Sequence, residues 1–148
     1  MKIHLIGMGS GPSTLTAAAI QALEQVELIL GAARLLAALP DMVTAQRKAA
    51  VYPQDILHCL QSFTGEQACI LFSGDSGFYS GARILLPLLE ERGISFRILP
   101  GVSSVQALSA RIGRPWQDWK LYSAHGVDCD PVGAVSQGKP AFFLTGSG

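Results

Sequence analysis

The chain has 148 residues, 49% of them hydrophobic and 15% charged, which suits an ordinary domain with a hydrophobic core and argues against disorder. Lysine plus arginine equal aspartate plus glutamate at 11 each, and this balance argues against a nucleic-acid binder, because such domains carry a basic excess. No stretch is long enough to cross a membrane and the three cysteines lack metal-ligand spacing, so we expect a cytoplasmic protein with no metal and no membrane partner.

Apolar periodicity predicts strands and helices that alternate from residue 1 to about residue 112. The first helix has an apolar face that begins at Leu15 and ends at Val26, and Ser13 can cap it. Such alternation predicts an α/β fold with a mostly parallel sheet and helices on both faces. The predicted strands are 2–6, 27–30, 48–52, 69–72 and 95–99, and the predicted helices start at 13, 31, 53, 82 and 103.

The pattern changes near Pro115. The helix that starts at Ser103 is expected to turn Val105, Leu108 and Ile112 inward, and Gly113-Arg114-Pro115 ends it. Two later segments, 120–123 and 141–145, predict strands joined by a loop rich in Gly, Asp and Pro. We therefore predict an N-terminal α/β domain at 1–114 and the start of a second α/β domain at 115–148. Because the second segment is too short to build a core, we expect a fragment of a longer protein.

Three glycine-rich turns follow predicted strands, at residues 7–12 (GMGSGP), 73–80 (SGDSGFYS) and 100–104 (PGVSS). Parallel α/β sheets bind ligands at the carboxyl ends of their strands, and glycine lets the backbone approach a ligand closely. The first turn departs from the dinucleotide fingerprint, because Pro12 stands where the third glycine is needed. Each turn also has a purely structural interpretation, such as Asp75 organising its own turn or Ser103 capping a helix.

Taken together, the three turns resemble the tetrapyrrole (corrin/porphyrin) methylase family in order and spacing over nearly the whole chain. Residues 31–36 (GAARLL) and 123–126 (SAHG) resemble one branch, the enzymes that methylate C5 of a corrin precursor (the cobalt-precorrin-7 type, or the N-terminal half of the precorrin-6Y C5,15 type). The chain departs from the family at Ser76, where many members have proline, and at Gly11-Pro12-Ser13.

The resemblance implies a two-domain methyltransferase that uses S-adenosylmethionine, held between the domains, to methylate ring carbon C5 of a corrin precursor in cobalamin biosynthesis. It also implies a homodimer. Asp75 is expected to accept a hydrogen bond from a ribose hydroxyl or an amino group of the cofactor. The residues implied in cofactor binding are Gly7, Gly9, Ser73, Gly74, Asp75, Phe78, Ser103, Ser104 and Thr145.

The candidates for catalysis are His125 and Tyr79, either of which can assist the departure of a ring proton. A lone histidine is more often structural or exposed, so that alternative stays open. Three arginines, Arg34, Arg111 and Arg114, are candidate anchors for the carboxylates of the substrate, since the guanidinium fork matches a carboxylate. The alternative functions are a methylase of the same family with another target (diphthamide or ribosomal RNA) and a non-catalytic ligand-binding fragment.

Overall fold

The computed structural model describes residues 1–125 and 128–145, in which strands and helices alternate. A short 3₁₀ turn at Pro12–Thr14 precedes the first helix. The elements are β1 Lys2–Gly7, α1 Ala17–Gln25, β2 Leu28–Gly31, α2 Ala33–Ala37, β3 Gln46–Ala49, α3 Pro53–Ser62, β4 Gln67–Phe72, α4 Ala82–Glu91, β5 Phe96–Leu99, α5 Ser104–Ile112, β6 Lys120–Ala124, α6 Pro131–Val135 and β7 Ala141–Thr145.

The main sheet has five strands in the order β3-β2-β4-β1-β5, and every neighbouring pair is parallel. The register sets Ile3 of β1 opposite Ala68 of β4 and Phe96 of β5. The predicted α/β class is confirmed. Because all five strands are parallel, their carboxyl ends meet at one edge of the sheet, where the turns at 7–12, 73–80 and 100–103 begin.

The two faces of the sheet bury separate apolar clusters, because successive side chains of a strand point to opposite faces. Helices α3 and α4 cover one face, and α1 and α2 cover the other, so the expected helices on both faces are present. The first cluster includes Ile3, Leu5, Leu28, Leu30, Ile56, Leu57, Leu60, Ala68, Ile70, Leu85 and Leu89. The second includes Ile6, Ala19, Leu23, Ile29, Leu35, Leu36, Cys69, Leu71 and Leu99.

Three local expectations are wrong in the first unit of the chain. Gly31, where a helix is expected to start, is the last residue of β2, and α2 starts at Ala33. Thr16 caps α1 in place of Ser13, since its side chain accepts a hydrogen bond of 3.1 Å from the amide of Ala19 while Ser13 lies in the preceding 3₁₀ turn. Strand β3 starts at Gln46, two residues before the expected 48–52 segment, because its register is set by β2. The amide of Ala50 then donates to the carbonyl of Gly31 at 3.1 Å and ends the pairing.

The chain forms two compact units, Met1–Ser103 and Ser104–Gly148. In the second unit β6 and β7 form a parallel pair, and the rings of Tyr122 and Phe143 stack with centroids 5.2 Å apart. Helix α6 lies where a loop was expected, because Asp130 Oδ1 accepts hydrogen bonds from the amides of Val132 and Gly133, each 3.1 Å long. The domain boundary at 114/115 and the expectation of a fragment stay predictions.

Helix α5 differs from its predicted orientation. Val105 is buried, but Leu108 is 40% exposed and Ile112 is 51% exposed, so only the first of the three expected inward residues is covered. Within residues 1–125 and 128–145, no helix is long and apolar enough to cross a membrane. The same residues contain no cluster of three or more His, Cys, Asp or Glu side chains that could hold a metal ion.

Candidate functional site

The turns after β1 and β4 are joined by backbone hydrogen bonds at the carboxyl edge of the sheet. The amide of Met8 donates to the carbonyl of Phe72 at 2.8 Å, which extends the β1–β4 ladder by one step. Gly9 and Gly74 then exchange two hydrogen bonds of 3.0 and 3.1 Å, in an antiparallel bridge. The two turns therefore form one backbone surface rather than two independent loops.

Asp75 ties this surface to the turn after β5. Its Oδ1 accepts a hydrogen bond of 3.0 Å from the amide of Gly101, and its Oδ2 accepts one of 3.1 Å from the amide of Gly77. Asp75 therefore organises its own turn, as the structural interpretation holds, and also links two turns. Each carboxylate oxygen can accept a second hydrogen bond, so these contacts leave capacity for a ligand donor.

Two glycines of these turns, Gly7 and Gly101, leave no room for a side chain. A Cβ on Gly101 would lie in hard contact with the carbonyl of Gly74 and 2.6 Å from the carbonyl oxygen of Gly7. A Cβ on Gly7 would lie 2.6 Å from the nitrogen of Gly101. The three turns approach one another closely only because these positions are glycine. We call the surface formed by residues 7–9, 73–75 and 100–103 the turn cradle.

The rest of the β4–α4 segment contains two unusual features. Tyr79 has a left-handed backbone (φ 46°), which is uncommon for a bulky residue, and its ring packs edge-to-face on Phe78 with centroids 5.0 Å apart. Ser76 is buried, and its hydroxyl has no hydrogen-bond partner in the part of the chain that the structure describes. An unpaired buried hydroxyl is costly, so a polar ligand group at this turn fits the chemistry of the residues present.

The remaining predicted residues are divided between the two compact units. Ser103 is buried at the end of the first unit. Ser104 is the first residue of α5 and Thr145 the last residue of β7, both in the second unit. His125 follows β6 there with an exposed side chain, and its amide lies 3.4 Å from Ser123 Oγ. Gly126, the last residue of the SAHG segment, lies outside the described residues.

A small pocket of about 200 Å³ lies beside the turn after β1. Of the three arginines proposed from the sequence as anchors, Arg34 lines this pocket, whereas Arg111 and Arg114 lie in the second unit. Sequence reasoning missed Ser10, whose hydroxyl donates to the carbonyl of Val102 at 3.3 Å and so also joins two turns. The sequence does contain a signal for Ser10, because this serine stands between two glycines of a turn expected to bind a ligand. The residues that line the pocket include Gly9, Ser10, Pro12, Arg34, Leu35 and Ser73.

Comparison with known proteins agrees with the resemblance seen in the motifs. The family model described as Tetrapyrrole (Corrin/Porphyrin) Methylases matches residues 2–143. A probable cobalt-factor III C(17)-methyltransferase of Methanothermobacter thermautotrophicus is 25% identical over 131 residues, which cover 84% of this chain and 37% of that protein. The cobalt-precorrin-7 C(5)-methyltransferase of Salmonella typhimurium is 31% identical over 126 residues, which cover 84% of this chain and 61% of that protein.

Solved structures show the same fold. The crystal structure of a precorrin-6Y methylase of cobalamin biosynthesis from Archaeoglobus fulgidus superimposes with a TM-score of 0.70 at 20% identity, over 84% of this chain and 64% of that one. The chain thus spans less than two thirds of the length of the two curated relatives, 37% and 61%. Because the family model matches residues 2–143, which is nearly the whole chain, the chain belongs to the tetrapyrrole (corrin/porphyrin) methylase family.

Proposed function

We propose that the protein is an S-adenosylmethionine-dependent C-methyltransferase whose acceptor is ring carbon C5 of a corrin precursor in cobalamin biosynthesis. The observation that carries this proposal is the turn cradle, three ligand-side turns joined through Asp75 in a chain of the tetrapyrrole methylase family. The choice of C5 is supported by the 31% identity to a cobalt-precorrin-7 C(5)-methyltransferase. The activity is proposed for the whole enzyme, because the chain spans 61% of that relative.

The turn cradle fits the cofactor chemically. S-adenosylmethionine supplies an electrophilic methyl group when bound. Backbone polar groups of Gly7, Gly9 and Gly74 and the hydroxyls of Ser73 and Ser103 would bind its polar groups, while Phe78 offers an aromatic surface. Asp75 would accept a hydrogen bond from a ribose hydroxyl or an amino group through its remaining lone pairs. The cofactor contacts expected of Ser104 and Thr145 stay predictions.

The chain's task in the reaction is mainly to position the reactants. The acceptor carbon of the macrocycle is electron-rich, so a strong base matters less than holding the two reacting carbons in line, which can contribute several kcal/mol. The ring loses a proton after methylation, and His125 or Tyr79 would assist its departure. Normal turnover of a His125→Ala enzyme would exclude the histidine, and the same result for Tyr79→Phe would exclude the tyrosine.

We also propose a homodimer in the cytoplasm that binds no nucleic acid. The free cysteines Cys59, Cys69 and Cys129 suit a reducing compartment. The equal numbers of acidic and basic residues, 11 each, favour a small-molecule partner over a polyanion. The dimer rests on the family resemblance, and a monomer mass in sedimentation equilibrium would contradict it.

The decisive experiment has two readouts on the same protein. Titration calorimetry with S-adenosylhomocysteine measures cofactor binding, and mass spectrometry after incubation with S-adenosylmethionine and corrin precursors measures methyl gain. Binding together with a methyl on C5 supports the proposal. Binding without methyl gain on any corrin precursor assigns the chain to another target or to ligand binding alone, and absence of binding rejects the cofactor itself.

A further inference from the structure

We propose that Arg34 binds a carboxylate side arm of the macrocyclic substrate in the small pocket beside the turn after β1, hereafter the Arg34 pocket. The inference rests on the proposed function, because it takes the substrate to be a ring that carries several carboxylates. It adds which residue recognises a carboxylate and where on the sheet that contact is made.

The sheet order explains why these residues meet. Arg34 lies in the first turn of α2, directly after β2, while Ser73 follows β4 and Ser10 follows β1. Strands β2, β4 and β1 are consecutive in the sheet, so the segments that follow them surround one pocket at the carboxyl edge. The Arg34 pocket therefore adjoins the turn cradle, with which it shares Met8, Gly9 and Ser73.

The size of the pocket selects the part of the substrate that can enter. Its volume is about 200 Å³, below the roughly 300–1,000 Å³ of sites that enclose a whole small molecule. A macrocycle would not fit, but an acetate or propionate side arm would. Leu35 is buried and Pro12 is apolar, so they offer a surface to the methylene groups of such an arm. The ring itself would remain outside, along the edge of the sheet.

The charge of the pocket selects a carboxylate. No aspartate or glutamate lines it among the described residues. The guanidinium of Arg34 makes no hydrogen bond or ion pair with the described part of the chain. Arg47 shows the contrast, because its two terminal nitrogens donate to the carbonyls of Leu36 and Val43, each at 2.9 Å, and so hold the end of α2. Arg47 has a structural role, whereas the donors of Arg34 are left for a ligand.

Ser73 provides a second donor. Its side chain is exposed, and its hydroxyl makes no hydrogen bond within residues 1–125 and 128–145. Ser10 is different, since its hydroxyl proton is already donated to Val102. A carboxylate in the pocket would accept two parallel hydrogen bonds from the Arg34 fork and one from Ser73, whose oxygen could still accept a hydrogen bond from the cofactor. This arrangement favours carboxylate over a neutral group.

The test measures binding of uroporphyrin, a macrocycle with eight carboxylates, by fluorescence titration of the full chain with and without saturating S-adenosylhomocysteine. Arg34→Gln should weaken uroporphyrin binding about 10- to 100-fold. Arg34→Lys, which keeps the charge but loses the fork, should give an intermediate loss. The matched control is Arg92→Gln, which removes the same charge from the far end of α4, where the guanidinium contacts the Leu88 carbonyl at 3.0 Å. It should bind as the parent does.

The outcomes separate this inference from the proposed function. If S-adenosylhomocysteine binds but Arg34→Gln and Arg92→Gln have equal uroporphyrin affinity, the assignment of Arg34 is wrong and the cofactor site stands. If the parent chain does not bind uroporphyrin, the Arg34 pocket is also rejected. If uroporphyrin binding depends on Arg34 but S-adenosylhomocysteine does not bind, the proposed function fails while the carboxylate contact stands. Equal cofactor affinity and circular dichroism of all variants exclude a folding defect as the cause.

Discussion

Asp75 Oδ1 accepts the backbone amide of Gly101 at 3.0 Å, and the two residues lie 26 positions apart on turns that leave different strands. The second oxygen accepts the amide of Gly77 at 3.1 Å. The carboxylate thus stabilises the turn cradle from within while it remains the proposed acceptor for the cofactor. A change at Asp75 should therefore have two separable effects, one on stability and one on ligand affinity.

We expect Asp75→Ala to weaken S-adenosylhomocysteine binding roughly 10- to 100-fold. It should also lower the free energy of unfolding by about 1–3 kcal/mol, since the Gly101 and Gly77 amides lose their acceptor. Titration calorimetry and urea unfolding measure the two effects. Asp41→Ala, at an exposed carboxylate in another turn, is the control and should change neither. Unchanged affinity with reduced stability would leave Asp75 a purely structural role.

Gly101→Ala should open the turn cradle. The new Cβ would collide with the carbonyls of Gly74 and Gly7, and the Gly74 carbonyl cannot move without breaking its hydrogen bond with the Gly9 amide. Overpacking of this kind costs about 1–3 kcal/mol, and cofactor affinity should fall with it. Gly81→Ala is the matched control, because its Cβ would meet only a Phe72 ring carbon at an ordinary 3.8 Å. Equal thermal stability of the two variants would show that the close packing is not required.

His4 should make the protein less stable as pH falls below about 6.5. The side chain is buried on the Ile6 face of the sheet, and burial, together with the Lys2 and Arg97 charges, lowers its pKa although Gln67 opposes the shift. Since the unfolded chain then binds the proton more readily, stability is complete above 6.5 and decreases toward the lowered pKa. Urea unfolding from pH 7.5 to 5 should show this slope, and His4→Gln should remove it. His58→Gln, at an exposed position, should leave the slope as it is.

Glu27 should make the stability of the protein depend on pH in a lower range than His4 does. Its Oε2 accepts the amides of Gln67 at 3.0 Å and Glu66 at 2.7 Å, and these hydrogen bonds lower the pKa of the carboxyl. The stabilisation is present above the ordinary pKa of about 4.5 and is lost as pH falls through the lowered one.

Glu27→Gln keeps an acceptor but not the charge, so it should reduce the pH dependence of stability in this range, measured as the midpoint of acid unfolding. Glu27→Ala removes the acceptor too and should be less stable at pH 7. Glu24→Gln, on the exposed side of α1, tests whether any lost carboxylate gives the same result; an identical shift would rule out the hydrogen bonds as the cause.

Local sequence signals predicted most of the fold. Pro53 at a helix start, and the apolar spacing after it, placed α3, and the bounds expected for α4 and for β7 are those observed. Asp130-Pro131 is an N-cap followed by a first-turn proline, a signal for α6 that stands within a composition typical of loops. The start of β3 could not be predicted from the local sequence, because it is set by the pairing of β3 with β2.

The sequence predicts which residues form the candidate site but not which of them contact one another. Glycines that follow predicted strands indicate the ligand-binding edge of a parallel sheet, whichever strands are neighbours in that sheet. The hydrogen bond from Gly101 to Asp75 depends on which strands are neighbours, and strand order is not visible in a local pattern. For the same reason, the sequence offers three arginines as equal candidates. The neighbouring positions of β2 and β4 bring Arg34 to the pocket, whereas Arg111 and Arg114 lie in the second unit.

The position of β5 has a consequence for the order of folding. Although β5 is the last strand of the sheet along the chain, it pairs with β1, the first, and it forms an edge. Joining segments so far apart in the chain costs more loop-closure entropy than forming a local helix, so this pairing should form after the helices. Gly101 follows β5 directly, and its amide reaches Asp75 only after β5 has docked. In refolding kinetics, the ability to bind S-adenosylhomocysteine should therefore return after the helical signal has recovered.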